Sequence, residues 1–127
     1  MLRVLVLAHE AVDAAGVRAA LPGEERLDEA QVLVVAPAVN QSRLAFWMSD
    51  SDEAITEARE LEERSVDALR SEGVRASGEV GESEPLLALQ DAQATFAADV
   101  IVLLTGDEEL EREAVERFPA ARVVRPG

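Results

Sequence analysis

His9 is the single histidine of the chain, and Glu10, Asp13 and Asp107 are the carboxylates that a fold could bring to it. An imidazole beside carboxylates suits a divalent metal or an acid–base pair, because it titrates near neutrality and a carboxylate can orient it. The spacing matches no diagnostic ligand motif. The simpler expectation is an exposed residue that caps the first helix, so no metal site and no catalytic residue is assigned. Ser42, Ser49, Ser51 and Thr105 supply hydroxyls, but none sits in a Gly-x-Ser-x-Gly elbow. Gly78-Glu79-Val80-Gly81 lacks the third glycine and the strand-to-helix placement of a dinucleotide fingerprint. Cysteine is absent, which removes disulfides and thiolate chemistry. An enzyme using His9 with Glu10 or Asp107 is the least favoured reading.

The segment from Asn40 to Ser51 is the most unusual stretch. It is longer than most connections and gathers Leu44, Phe46, Trp47 and Met48. Phe46 and Trp47 are half of the aromatic residues, since the chain has three Phe, one Trp and no Tyr. Phe46, Trp47 and Met48 either form a lid or a patch for a protein partner, or they cover one end of the core.

Composition narrows the classes of partner. The formal charge is −14, and such a surface repels phosphate backbones and anionic lipid, so neither a nucleic acid nor a membrane is expected. All 12 basic residues are arginine. No apolar run approaches the roughly 20 residues that cross a bilayer. The opening Met1-Leu2-Arg3-Val4 reads as a first strand rather than a signal peptide, and a cytoplasmic protein is the expectation. With 127 residues, 48% of them hydrophobic, one domain over residues 1–127 has material for a real core.

Five β-rich runs must position these groups: Arg3–Ala8, Gln31–Ala36, Val74–Val80, Asp99–Leu104 and Ala121–Val124. The first, second and fourth are nearly continuous Val, Leu and Ile, which suits strands buried on both faces of a parallel sheet. Helical patterns separate them. The first places Val12, Ala15, Gly16, Ala19 and Ala20 on one stripe and ends at Leu21-Pro22-Gly23. The second runs from about Asp52 to Glu72, with Ile55, Ala58, Leu61, Ser65, Val66 and Leu69 inward and Gly73 as its stop. The third opens at Ser83-Glu84-Pro85 and buries Leu86, Leu89 and Phe96. The fourth opens at Asp107-Glu108-Glu109, buries Leu110, Ala114, Val115 and Phe118, and closes at Pro119. Strict alternation of this kind predicts an α/β fold: a three-layer α/β/α sandwich on a five-stranded, mostly parallel, doubly wound sheet.

Three stretches carry a family resemblance: Arg3-Val4-Leu5-Val6-Leu7-Ala8, then Gly78-Glu79-Val80-Gly81 with Ser83-Glu84-Pro85-Leu86 opening a helix, and Ala98-Asp99-Val100-Ile101-Val102-Leu103-Leu104. Together with the element order they make the chain resemble the universal stress protein (UspA-like) domain over essentially its whole length. The resemblance implies the strand order 3-2-1-4-5, with a topological switch point between strands one and four. Ligands of open α/β sheets bind beyond the carboxyl ends of the strands at such a point. There the crevice would be lined by His9 and Glu10 after strand one, Pro37 and Asn40 after strand two, and Thr105, Gly106 and Asp107 after strand four.

ATP-binding members of that family carry Gly-x-x-Gly-x9-Gly-Ser/Thr after strand four, where backbone N–H groups cradle phosphate. Here Gly106 aligns with the first glycine, Glu109 stands at the second position, and no later Gly-Ser or Gly-Thr follows. The carboxylates of Asp107, Glu108 and Glu109 would oppose a polyphosphate. No cofactor is therefore expected, and ATP is disfavoured. The expected function is a non-catalytic, stress-protein-like binding or regulatory domain, with a small-molecule or nucleotide-binding protein using the same crevice as the alternative. The resemblance also implies a homodimer through the last strand, Arg122, Val123 and Val124, although Arg122, Arg125 and Pro126 equally suit protection of an edge.

Overall fold

The structure, a computed structural model, describes residues 2–21, 27–38, 51–82, 84–104 and 108–125, with the backbone alone described at 28 and 51–54. Strands β1 (Arg3–Leu7), β2 (Gln31–Pro37), β3 (Arg75–Gly81), β4 (Val100–Leu103) and β5 (Arg122–Val124) form one sheet in the order β3-β2-β1-β4-β5. Every neighbouring pair is parallel. Between them run α1 (Ala14–Ala20), α2 (Ser51–Ser71), α3 (Pro85–Phe96) and α4 (Glu108–Arg117), and a 3-10 turn at Leu27–Glu29 precedes β2.

The sheet separates two cores of different side-chain size. Val4, Val6, Val32, Val34, Val100 and Val102 face α1 and α2, together with Val17, Val66 and Leu69 of those helices. Leu5, Leu7, Leu33, Val35, Ile101 and Leu103 face α3 and α4, where Ala88, Leu89, Ala92, Leu110 and Ala114 meet them. Large residues on that side of the sheet are thus met largely by small ones on the helices, which keeps layers interlocked at interior density. Removing each such Leu or Val from water contributes about 1.5–3 kcal/mol.

Local chemistry sets the helix ends. Asp13 caps α1, its Oδ1 accepting from Gly16 N at 2.9 Å. Glu84 caps α3 by accepting from Leu86 N and Leu87 N, with Pro85 in the first turn. At the end of α2, Gly73 takes φ 86°, Val74 N donates to Leu69 O at 3.0 Å and Gly73 N donates to Arg70 O at 3.1 Å. This is a Schellman stop, and its apolar contact is the buried pair Leu69 and Val74. The α3 exit is left-handed at Ala97, φ 51°, and Gln93 Oε1 holds it by accepting from Ala98 N.

Three inward assignments differ from the sequence pattern. In α1 the buried residues are Ala14, Val17 and Ala20, while Ala15 and Ala19 are exposed. The helix is turned so that Val17, its largest apolar side chain, reaches the core instead of Gly16. Ile55 is 40% exposed because α2 outruns the sheet. Its 21 residues span about 31 Å against about 23 Å for the seven of β3, so the first turns project beyond the strand. Val115 is 52% exposed; Leu110 and Ala114 already fill the inner face of α4.

Two glycines of β3 test the packing differently. A Cβ on Gly81 would lie 2.8 Å from Ala88 Cβ of α3 and 3.0 Å from Val35 Cγ1 of β2, where α3 packs tightly on both strands. Gly81→Ala should lower stability by about 1–3 kcal/mol by overpacking, read from the denaturant midpoint at constant slope. The three atoms nearest a Cβ on Gly78 all belong to the Glu62 side chain, which can swing into water, so Gly78→Ala should cost clearly less. Glu62 offers a second test. Burial pushes its carboxyl above the ordinary range, Glu63 and Asp67 push the same way, and Arg59 and Arg70 pull against them. The folded chain therefore binds this proton more readily than the unfolded one, and the group's contribution to stability falls as pH rises through the raised range. Glu62→Gln should be more stable than wild type at neutral pH, with the gap closing as urea midpoints are followed down towards about pH 4.

Candidate functional site: the switch-point crevice

Strand β1 lies between β2 and β4, and its last residue, Leu7, pairs with Val35 on one side and Leu103 on the other. The ladder runs one step further on both sides: Ala8 N donates to Val35 O at 3.1 Å, and Leu104 N donates to Leu7 O at 3.0 Å. Beyond this point the chain from β1 turns to the α1 side, while α4 lies on the opposite face. The helices that follow β1 and β4 thus lie on opposite faces of the sheet, and the carboxyl edge between these strands is where such a topology is expected to form a crevice.

His9 and Glu10 follow directly after Ala8, and both are exposed. They sit on a short rim tied down at each end. Ala8 is held by the sheet. Val12 N donates to Ser65 Oγ of α2 at 3.0 Å, and Asp13 then begins α1 as its cap. Ser65 has no solvent exposure and is the buried polar side chain among the described residues. Next to this bond a shallow groove of about 340 Å³ is lined by Ala11, Val12, Asp13, Gly16, Arg64 and Ala68. Pro37 is the buried last residue of β2, so it closes the strand end instead of presenting a side chain to solvent. Asn40, Thr105, Gly106 and Asp107, and the Phe46, Trp47 and Met48 cluster, lie outside the described residues.

On the far wall, the first turn of α4 carries Glu108, Glu109 and Glu111, all favourable at the positive end of the helix. Arg125, just after β5, pairs with Glu111 and lies 3.7 Å from Glu108. The first turn is thus acidic but met by one guanidinium from the last strand, a partner that the sequence pattern does not place there. Asp99, by contrast, serves the opposite edge. Its Oδ2 accepts from Arg3 N at 3.0 Å, and Arg3 in turn donates to Phe96 O and lies over the Phe96 ring. A second shallow groove at that amino edge is lined by Gln31, Arg70, Arg75, Ala76 and Ser77.

Among the described residues no group of three or more His, Cys, Asp or Glu is arranged to hold a metal ion. His9, Glu10 and Asp13 therefore do not converge as ligands, and Asp13 is engaged in its cap. Sequence patterning placed Ser65 on an inward helical stripe and read Arg125 as edge protection, but assigned neither a role at this edge. Ser65 did leave a signal, a hydroxyl on the inward stripe of a helix; Arg125 left none beyond its place after the last strand. No family model matches the chain, and no curated protein matches it. No described helix is long and apolar enough to cross a membrane.

Proposed function

We propose that the chain is a non-catalytic binding or regulatory domain of the universal-stress-protein type, whose crevice has lost conventional ATP binding. One observation carries the reading: the helix on the far wall of the switch point opens with three glutamates, Glu108, Glu109 and Glu111. In a phosphate cradle that turn offers backbone N–H groups to an anion. Here side-chain carboxylates supply the negative charge the helix end favours, and Arg125 is drawn to them. A triphosphate entering this turn would meet like charge, at a cost on the order of 1 kcal/mol per close surface contact.

The exposure of His9 and Glu10 on the β1 rim favours a second occupant of the same crevice, a small molecule or nucleoside held without a polyphosphate contact. Thermal shift separates the readings. ATP with magnesium should leave the melting temperature unchanged, whereas a ligand at about 100 times its dissociation constant raises stability by about 2.7 kcal/mol. A concentration-dependent rise with ATP defeats the first reading; a rise with adenosine but not ATP establishes the second.

The outermost strand supports a homodimer as part of the same proposal. β5 has β4 as its one neighbour in the sheet, and Val123 and Val124 are half-buried at that edge. Sedimentation velocity should give a species of twice 13.7 kDa. A single species at the monomer mass across the concentration range excludes the pairing.

A further inference from the structure

We infer that Ser65 is a positioning residue for the crevice rim: its hydroxyl fixes the loop that presents His9 and Glu10, so that the seating of α2 and the shape of the rim are coupled. The functional meaning of the rim rests on the crevice reading above; the coupling itself does not.

Ser65 is an unexpected residue for its place. It lies in the interior of α2, on the stripe shared by Ala58, Val66 and Leu69, and is fully buried. A serine there has lower helix propensity than alanine and carries a hydroxyl that must be satisfied. Its Oγ accepts from Val12 N, 53 residues away in sequence. That amide belongs to the last residue before the α1 cap, where no helical or sheet partner is on offer. The hydroxyl thus supplies an acceptor that the backbone of the rim otherwise lacks.

The geometry turns one bond into a constraint on three residues. Ala8 N is bound to Val35 O in the sheet, and Val12 N is bound to Ser65 Oγ in the helical layer. Only His9, Glu10 and Ala11 lie between, and all three are exposed. A span this short, tethered at both ends to different layers, has few backbone conformations open to it. Displacing His9 or Glu10 appreciably therefore requires release of the Ser65 bond or movement of α2. Conversely, a shift of α2 is transmitted to the rim through Val12. The groove between Arg64 and Gly16 opens beside this bond, which leaves room for the loop to move once the bond is broken.

Amide hydrogen exchange followed by NMR tests the coupling on the intact chain. In wild type the Val12 amide should be protected. In Ser65→Ala its exchange should quicken about fivefold or more beyond the change at Leu5 and Ile101, which report global opening. The His9 and Glu10 backbone shifts should move with it, and Ser65→Thr, which keeps the hydroxyl, should restore the protection. Equal changes at Val12, Leu5 and Ile101 would reduce Ser65 to a packing residue and overturn the inference. Exchange of the wild-type Val12 amide at the rate of an unstructured peptide would overturn it without any variant, which covers failure of Ser65→Ala to fold. Absence of any crevice ligand would defeat the crevice reading and leave these exchange results untouched, so the two failures are distinguishable.

Discussion

Strand β1 is the constraint on which the rest of the molecule depends. It is hydrogen-bonded on both sides and buried on both faces, with Val4, Leu5, Val6 and Leu7 all without solvent exposure. A strand so placed has to be apolar at every buried position, here the four after Arg3, and its alternating side chains have to satisfy two different helical layers. Valine faces the α1–α2 layer and leucine faces the α3–α4 layer, and the same division holds in β4 except that isoleucine joins leucine. The central position of β1 also decides where the crevice falls. β2 is added on one side and β4 on the other, and the parting of their connections follows from that topology alone.

This explains which parts of the fold were legible. Doubly buried strands leave continuous Val/Leu/Ile runs, so β1, β2 and β4 stood out, and the glycine and proline stops around β3 and β5 marked the remaining two. The strand order and the placing of His9 and Glu10 at the carboxyl edge followed from the family resemblance, and the sheet has that order. The rotation of α1 was not legible, because Ala14, Ala15, Ala19 and Ala20 supply small residues on two adjacent stripes. Only the competition to bury Val17 selects between them. The overhang of α2 was hidden for another reason. It depends on the length of the helix relative to the strand it covers, and a periodic pattern such as Ile55, Ala58 and Leu61 is the same over the sheet or beyond it.

The site was less legible than the fold because its defining contacts are distant in sequence. Ser65 reaches Val12 across 53 residues, and the pairing of Arg125 with Glu111 requires β5 to lie beside the start of α4. Charge counting anticipated an acidic turn and missed its guanidinium. The correction alters the electrostatics in degree and leaves their sign. One arginine, whose side chain is 23% exposed, stands against Glu108, Glu109 and Glu111 within a chain of formal charge −14. Partly exposed ion pairs of this kind are worth little in stability. Their consequence here is that Arg125 is already engaged, and an incoming anion would have to compete with two carboxylates for it.

The two walls of the crevice are therefore built on different principles. On the β1 side a neutral hydrogen bond from a buried hydroxyl fixes the backbone and leaves two polar side chains facing water. On the α4 side, charged side chains occupy the helix terminus and are balanced by a residue from the sheet edge. A buried neutral bond is nearly insensitive to salt, whereas an exposed carboxylate–guanidinium pair weakens as ionic strength rises. The shape of the His9–Glu10 rim should thus persist across salt concentrations that relax the opposite wall. On the proposed reading, selectivity by shape would reside with α2 and β1, and selectivity by charge with α4 and the strand that follows it.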